Sequence, residues 1–169
     1  MTQPPRPTPD DVVTAFQLWW LVAGFGFAQL LCALLGAIGD RDALVDQLLS
    51  DMARRDAEFA LTRSTAELFL YAGLLIAVVI GVVVCTVVLV VAYQMRRGRG
   101  WARTILTVLG SFLVVLAVPS VFGLGTATGA VAVLAGGLAI LGGVAAAGAI
   151  VLMHRRESNS YFLPGPPVR

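Results

Sequence analysis

Four long apolar stretches constrain the fold of this chain more than any other feature of the sequence. They run over about residues 14–38, 65–93, 104–122 and 129–153, and none carries a charged residue at hydrocarbon depth. A helix needs roughly 20 apolar residues to cross a bilayer. At 58% hydrophobic and 13% charged residues, a soluble domain could not bury this much apolar surface. The sequence predicts an all-α membrane protein with four transmembrane helices.

The sequence predicts one transmembrane domain between two tails. A proline-rich tail of residues 1–11 precedes a transmembrane domain of residues 12–154, and residues 155–169 form a second tail. With both termini inside, the cytoplasmic segments hold eight arginines, and the outer side holds four arginines diluted by seven acidic residues. Positive charge favours the cytoplasmic side. We therefore expect a multi-pass protein of the bacterial inner membrane with both termini in the cytoplasm.

The connection between the second and third spans is strongly basic. It contains Arg96, Arg97, Arg99 and Arg103, with Trp101 beside them. Such a cluster determines topology. It can also hold anionic lipid headgroups, at roughly 1 kcal/mol per arginine, and we predict these four residues as a headgroup site.

Small residues recur in the spans at helical spacing, and close approach of small residues holds helices together in lipid. Two rows have steps of four, and a third alternates steps of four and three. The predicted packing residues are Gly24, Ala28, Cys32 and Gly36; Gly73, Ala77, Gly81 and Cys85; and Gly129, Gly136 and Gly143. Counting from the cytoplasmic ends places Gly24 level with Cys85 and Ala28 level with Gly81. The first two spans are therefore expected to pack antiparallel along their rows.

Residues 40–63 form the only sizeable polar stretch, without Gly or Pro. Leu44, Leu48, Met52 and Phe59 share one face of the helix that this stretch predicts. The stripe is either a docking face for another protein or the underside of a helix that lies on the membrane or roofs the bundle. Both interpretations stay open.

Catalytic signatures are missing from the sequence. The two cysteines lie in separate apolar runs without a CxxC motif, and no hydrolase motif occurs. Coupled transport generally needs an ionisable group in mid-membrane, and none is found there. Gln29 is a mid-membrane polar residue that we expect to join helices by hydrogen bonding. We predict no enzyme activity, no catalytic, cofactor or metal site, and no nucleic-acid partner.

Three motifs at the inner ends of the spans support a resemblance. The LWW of Leu18–Trp20, the RGRGWAR of Arg97–Arg103 and the RRESNSYF of Arg155–Phe162 resemble motifs of small four-helix membrane proteins of actinobacteria. The resemblance implies an actinobacterial inner-membrane protein and assigns no chemistry.

These observations lead to alternative functional hypotheses. The first is a non-catalytic accessory subunit that docks onto a larger inner-membrane complex, such as envelope lipid transport or secretion machinery. The alternative is a small oligomeric channel or carrier for an uncharged or lipid-like solute, with Gln17 and Gln29 along its path. A third is a lipid-binding protein whose inner arginines hold headgroups. Membrane lipids are expected partners in each case, and self-association is compatible with all three.

Overall fold

The computed structural model describes residues 10–55, 62–125 and 129–155. Five helices occupy these residues: α1 (Asp10–Gly39), α2 (Arg41–Arg55), α3 (Arg63–Arg96), α4 (Gly100–Gly123) and α5 (Ala130–Met153). All except α2 are long and apolar enough to cross a membrane. This confirms the prediction of an all-helical membrane protein with four potential spans. The predicted tails lie almost wholly outside the described residues.

The four long helices form a ring in the order α1, α3, α4, α5. The α1–α5 interface is the most extensive, α4–α5 follows, and α3–α4 is the least extensive of the four. Close contacts join Gly36 to Val131 and Gly142 to Phe25, so α1 and α5 are antiparallel. One end of the bundle carries the start of α1, the α3–α4 connection and the end of α5; we call it the arginine end. The other end carries α2 and is called the α2 end.

Buried side chains are concentrated toward the arginine end. Trp19, Met95, Leu106 and Met153 come from four different helices, and each is fully buried. Small residues such as Ala146 fill the space between these large side chains. On α3, the buried residues of the spanning part all lie in its last nine residues, from Val88 onward. The spanning part of α3 is therefore packed most tightly at the arginine end and is more exposed toward the α2 end.

Two glycines permit backbone conformations that other residues rarely adopt. Gly98, in the α3–α4 connection, has φ of 79°, and its N–H donates to the Met95 carbonyl, closing the end of α3. Gly129 has φ of 94° immediately before α5. Most side chains are strained at such angles. Gly129, predicted as a packing residue of the last span, thus precedes the helix and starts its first turn.

Candidate functional site

A pocket of about 250 Å³ lies between the four long helices near mid-membrane. It is lined by residues of α1, α3, α4 and α5, including Phe25, Cys85, Leu113 and Gly142. Cys85 and Gly142 each lie eleven residues before the end of their helix at the arginine end. At ~1.5 Å per residue this is a depth of about 17 Å, close to the middle of a hydrocarbon core about 30 Å thick.

The pocket is closed toward the arginine end by the packed core. The buried side chains of Trp19, Leu106 and Met95 occupy the bundle there, and Val22 and Val88 belong both to this core and to the pocket wall. The pocket therefore has a solid apolar floor.

The pocket opens sideways between α3 and α4. Val84 of α3 and Leu116 of α4 both line it, yet they are 52% and 54% exposed. A residue that lines a pocket and is also exposed lies at its rim. The least extensive interface of the ring is also the one between these two helices. The mouth therefore faces the surface that lipid would occupy in a membrane.

Few polar groups line the pocket, and none of its lining residues is charged. The Gln29 Nε2 donates a long hydrogen bond of 3.4 Å to the Ala135 carbonyl of α5. Ser120 of α4 also lines the pocket. Within residues 10–55, 62–125 and 129–155, no hydrogen bond is found for the Ser120 hydroxyl. The amide and the hydroxyl therefore give an otherwise apolar pocket two groups that can bind an uncharged polar atom.

The small-residue row of α3 contacts α1 over part of its length, through α1 residues that lie outside the predicted α1 row. A methyl group on Gly81 would lie 2.9 Å from Leu30 Cδ2, and one on Gly26 would lie 3.7 Å from Cys85 Sγ. The structure thus places Leu30, rather than Ala28, against Gly81. A methyl group on Gly24 or Gly73 would meet no atom within 4 Å. Gly24, the first residue of the α1 row, and Gly73, the first residue of the α3 row, therefore make no close contact with another described helix.

The other members of these two rows occupy varied surroundings. On α1, Ala28 is half-buried, Cys32 is buried, and Gly36 lies against Val131 of α5. On α3, Ala77 is exposed. The α1 row therefore turns from lipid at Gly24 toward α5 at Gly36.

The α4–α5 interface contains the closest helix contacts. A methyl group on Gly143 would lie 2.7 Å from Ala117 Cβ, and one on Gly136 would lie 2.7 Å from Leu124 Cδ1. Gly110 of α4 makes a similar contact, with 2.9 Å to Ile150 Cδ1. Gly110 belongs to no row of small residues, so no spacing signal in the sequence identified it.

The apolar stripe of α2 faces the rest of the protein. Val45 is fully buried, and Leu44 and Leu48 are half-buried. Met52 is 37% exposed, and Phe59 lies outside the described residues. Leu44 and Leu48 line a groove together with residues of α3, namely Phe69, Leu70, Gly73 and Leu74.

Arg63 attaches α2 to the start of α3. Its guanidinium lies 2.8 Å from an Asp42 carboxylate oxygen and 3.1 Å from one of Asp46. Tyr71 of α3 lies near Arg41, at the start of α2, and its interaction with the guanidinium is the main cause that raises the pKa of Arg41. Ion pairs and apolar contacts thus hold α2 beside the first turns of α3.

The predicted headgroup arginines lie together at the arginine end. The Arg96 guanidinium lies 5.2 Å from the centre of the Phe16 ring, and Arg97 lies 5.3 Å from that of Tyr93. Arg99 is exposed and Arg103 is half-buried. At the same end, Arg155 pairs with Asp11 at 3.5 Å.

Comparisons with known proteins identified no relative of this chain. No protein-family model, no curated protein and no solved structure matches this chain. The function therefore has to be inferred from the geometry of the chain itself.

Proposed function

We propose that this protein is a non-catalytic accessory subunit that docks onto a larger complex in the bacterial inner membrane. The observation that carries the proposal is an uncovered notch on α3. Gly73 and Ala77 lie one helical turn apart, and both are exposed. The large side chains of Phe69, Ile76 and Ile80 beside them are each more than half exposed. We call Gly73 and Ala77 the α3 notch.

The physical argument concerns close helix approach in lipid. Apolar side chains gain little by leaving lipid for a protein surface, so spanning helices associate by fitting large residues against small ones. Within the chain this occurs at Gly143, against Ala117 of α4, and at Gly136, against Leu124, which follows the end of α4. The α3 notch offers the same geometry: a methyl group on Gly73 would meet no described atom within 4 Å, although α2 borders the notch at the groove of Leu44 and Leu48. The partner that this geometry requires is a spanning helix of another subunit, with a large side chain that packs against the α3 notch.

The proposed orientation places both termini in the cytoplasm. The start of α1, the α3–α4 connection with its arginines and the end of α5 share one end of the bundle, where Arg155 meets Asp11. The positive-inside bias assigns that end to the cytoplasm. On this orientation α2 lies on the outer side. Single cysteines introduced at Arg99 and Ser50, in a variant lacking Cys32 and Cys85, test it: an impermeant maleimide applied to intact cells should label only Ser50→Cys.

The docking proposal is tested by filling the α3 notch. Gly73→Leu adds bulk where a methyl group would meet no described atom within 4 Å, at the edge of the groove shared with α2. Ala77→Leu adds bulk at an exposed position, so the four long helices should remain packed in both variants. Val79→Leu is the matched control, because Val79 is 54% exposed and lies about 200° around α3 from Ala77. Complexes are solubilised in mild detergent at native expression, and their mass and subunit stoichiometry are measured.

The wild type and Val79→Leu should migrate as a complex that contains a second protein in fixed ratio. The two notch variants should migrate at the mass of the single chain with unchanged melting temperatures. A wild type that purifies alone, or only with further copies of itself, contradicts the accessory role. Notch variants that retain the complex contradict the assignment of the docking surface.

The alternative of a pore receives less support. Trp19, Met95 and Leu106 fill the bundle at the arginine end. A path along the axis of a single copy would require these side chains to move. We therefore keep docking as the conclusion.

A further inference from the structure

We propose that the pocket between the four helices binds an uncharged membrane lipid, whose apolar body enters between α3 and α4. This inference is independent of the docking proposal, because it needs no partner protein. It follows from the size of the pocket, its lining, the position of its mouth and its two polar side chains.

The size and lining of the pocket fit a hydrocarbon body. An apolar cavity of about 150 Å³ in a soluble protein stays dry and accommodates benzene. This pocket, at about 250 Å³, is larger and also mainly apolar. In water such a space would be costly to keep open, but in a membrane the molecules at its mouth are hydrocarbon chains. The occupant is therefore part of a lipid rather than a water-soluble solute.

The position of the mouth gives the route of entry. Val84 and Leu116 form the rim, and both are half exposed on the side of the bundle that faces lipid. The floor at Val22 and Val88 is closed. A lipid can thus enter laterally from the bilayer, without crossing an aqueous phase.

The polar groups restrict the chemistry of the lipid. Gln29 and Ser120 line the pocket, and no charged side chain does. Ser120 lies three residues before the end of α4 at the α2 end. An unpaired charge is very costly to bury in such surroundings. A carbonyl or hydroxyl oxygen can instead hydrogen-bond to the amide and the hydroxyl. The ligand class is therefore an uncharged lipid with a carbonyl or hydroxyl group at the depth of these two side chains.

The test uses photo-crosslinking in phosphatidylcholine nanodiscs. One probe is a diacylglycerol with a diazirine in one acyl chain, and the other is a phosphatidylglycerol with the same labelled chain. Labelled residues are mapped by mass spectrometry. The diacylglycerol should label the pocket wall, at residues such as Leu113 and Cys85. The anionic probe should label only lipid-facing residues such as Phe122, which is 79% exposed.

Two variants and a control make the result specific. Ala139→Phe fills the pocket and should reduce pocket labelling by at least about tenfold, the effect of roughly 1.4 kcal/mol in affinity. Ala132→Phe, seven residues earlier on α5 at an exposed position, should leave labelling unchanged. Gln29→Leu combined with Ser120→Ala preserves the volume more closely. Loss of their hydrogen bonds should reduce diacylglycerol labelling by about three- to tenfold.

Several outcomes would overturn the proposal. Equal labelling of the pocket by both probes would show that any acyl chain enters, and the uncharged class would be wrong. Labelling that Ala139→Phe does not reduce, in a variant with a wild-type melting temperature, would place the lipid elsewhere. If Ala139→Phe does not fold, the Gln29→Leu, Ser120→Ala double variant decides, because unchanged labelling there removes the two polar groups from the site.

Discussion

Glycines on one helix can have opposite effects on stability, depending on what surrounds them. On α5, a methyl group on Gly143 would lie 2.7 Å from Ala117 Cβ, whereas one on Gly137 would meet no atom within 4 Å. The first position needs glycine because α4 is in contact with its backbone. At the second, glycine only leaves the helix more freedom to unfold.

We expect Gly143→Ala to destabilise the bundle by about 1–3 kcal/mol, because Ala117 Cβ cannot rotate away from the added methyl group. Gly137→Ala should stabilise the same helix by roughly 0.5–1 kcal/mol through higher helix propensity. Thermal or denaturant unfolding in detergent measures both changes. Equal effects at the two positions would show that α4 and α5 are not in contact at Gly143.

For individual residues, the sequence predicted some helix–helix contacts and missed others. The row containing Gly136 and Gly143 alternates steps of four and three, which keeps a face nearly fixed along a helix of 3.6 residues per turn. Both residues do contact α4 in the structure. Gly110, a single glycine in its span, contacts Ile150 just as closely. A single small residue gives no periodic signal, so only the structure could identify it.

At the scale of whole helices, the spacing of the small residues determines which part of the α3 row packs against α1. A strict step of four advances about 400° around a helix, so each step drifts by roughly 40° and three steps by roughly 120°. The α3 row therefore faces α1 at Gly81 and Cys85 but turns to the exterior at Gly73 and Ala77. Sequence spacing predicted that the row packs. The drift explains why only half of it packs within the chain.

The position of α2 depends on contacts that distant residues supply. The stripe of Leu44 and Leu48 predicted that something covers this face, and in the structure α3 covers part of it. Arg63 adds ion pairs to Asp42 and Asp46. The amphipathic pattern identifies the face of the helix but not its neighbour, so the choice between α3 and another protein could not be made from sequence.

We expect Arg63→Gln to loosen α2 while the four long helices remain stable. Exposed ion pairs contribute about 0.2–1 kcal/mol each, and Arg63 makes several. Hydrogen exchange of the α2 amides should therefore accelerate, and high salt should have a similar effect by screening these charges. Arg54→Gln is the control, because Arg54 makes no ion pair within the described part of the chain. If α2 exchanges at the wild-type rate in Arg63→Gln, apolar contacts alone hold it.

At the scale of the whole molecule, the two ends of the bundle differ in packing and in charge. The arginine end holds the large buried side chains, and toward the α2 end α3 is more exposed and a pocket lies between the helices. Hydropathy predicted four spans because apolar length is a local property. The pocket could not be predicted, since it depends on how far α3 and α4 separate, and residues on four helices contribute to it.

We expect anionic lipid to stabilise the protein through the arginine end. Melting temperatures in phosphatidylglycerol nanodiscs should exceed those in phosphatidylcholine, because each arginine near an anionic surface contributes about 1 kcal/mol. Replacing both Arg97 and Arg99 with Gln should remove about half of this difference, because two of the four arginines of the predicted headgroup site remain. The same substitution at Arg54, near the opposite end, should leave it unchanged. A lipid effect that persists in the double variant would assign headgroup binding to other residues.

The ring closes where the first spanning helix of the chain meets the last. The α1–α5 interface is the most extensive in the bundle, and Arg155 of the C-terminal segment pairs with Asp11 of the N-terminal one. During synthesis, the other three spanning helices leave the ribosome before α5. Until then α1 lacks the helix with which it forms its most extensive interface. The α1 helix must therefore stay in the bilayer without this interface until α5 has been synthesised, and a truncation that removes α5 leaves the assembly of the other three spanning helices open.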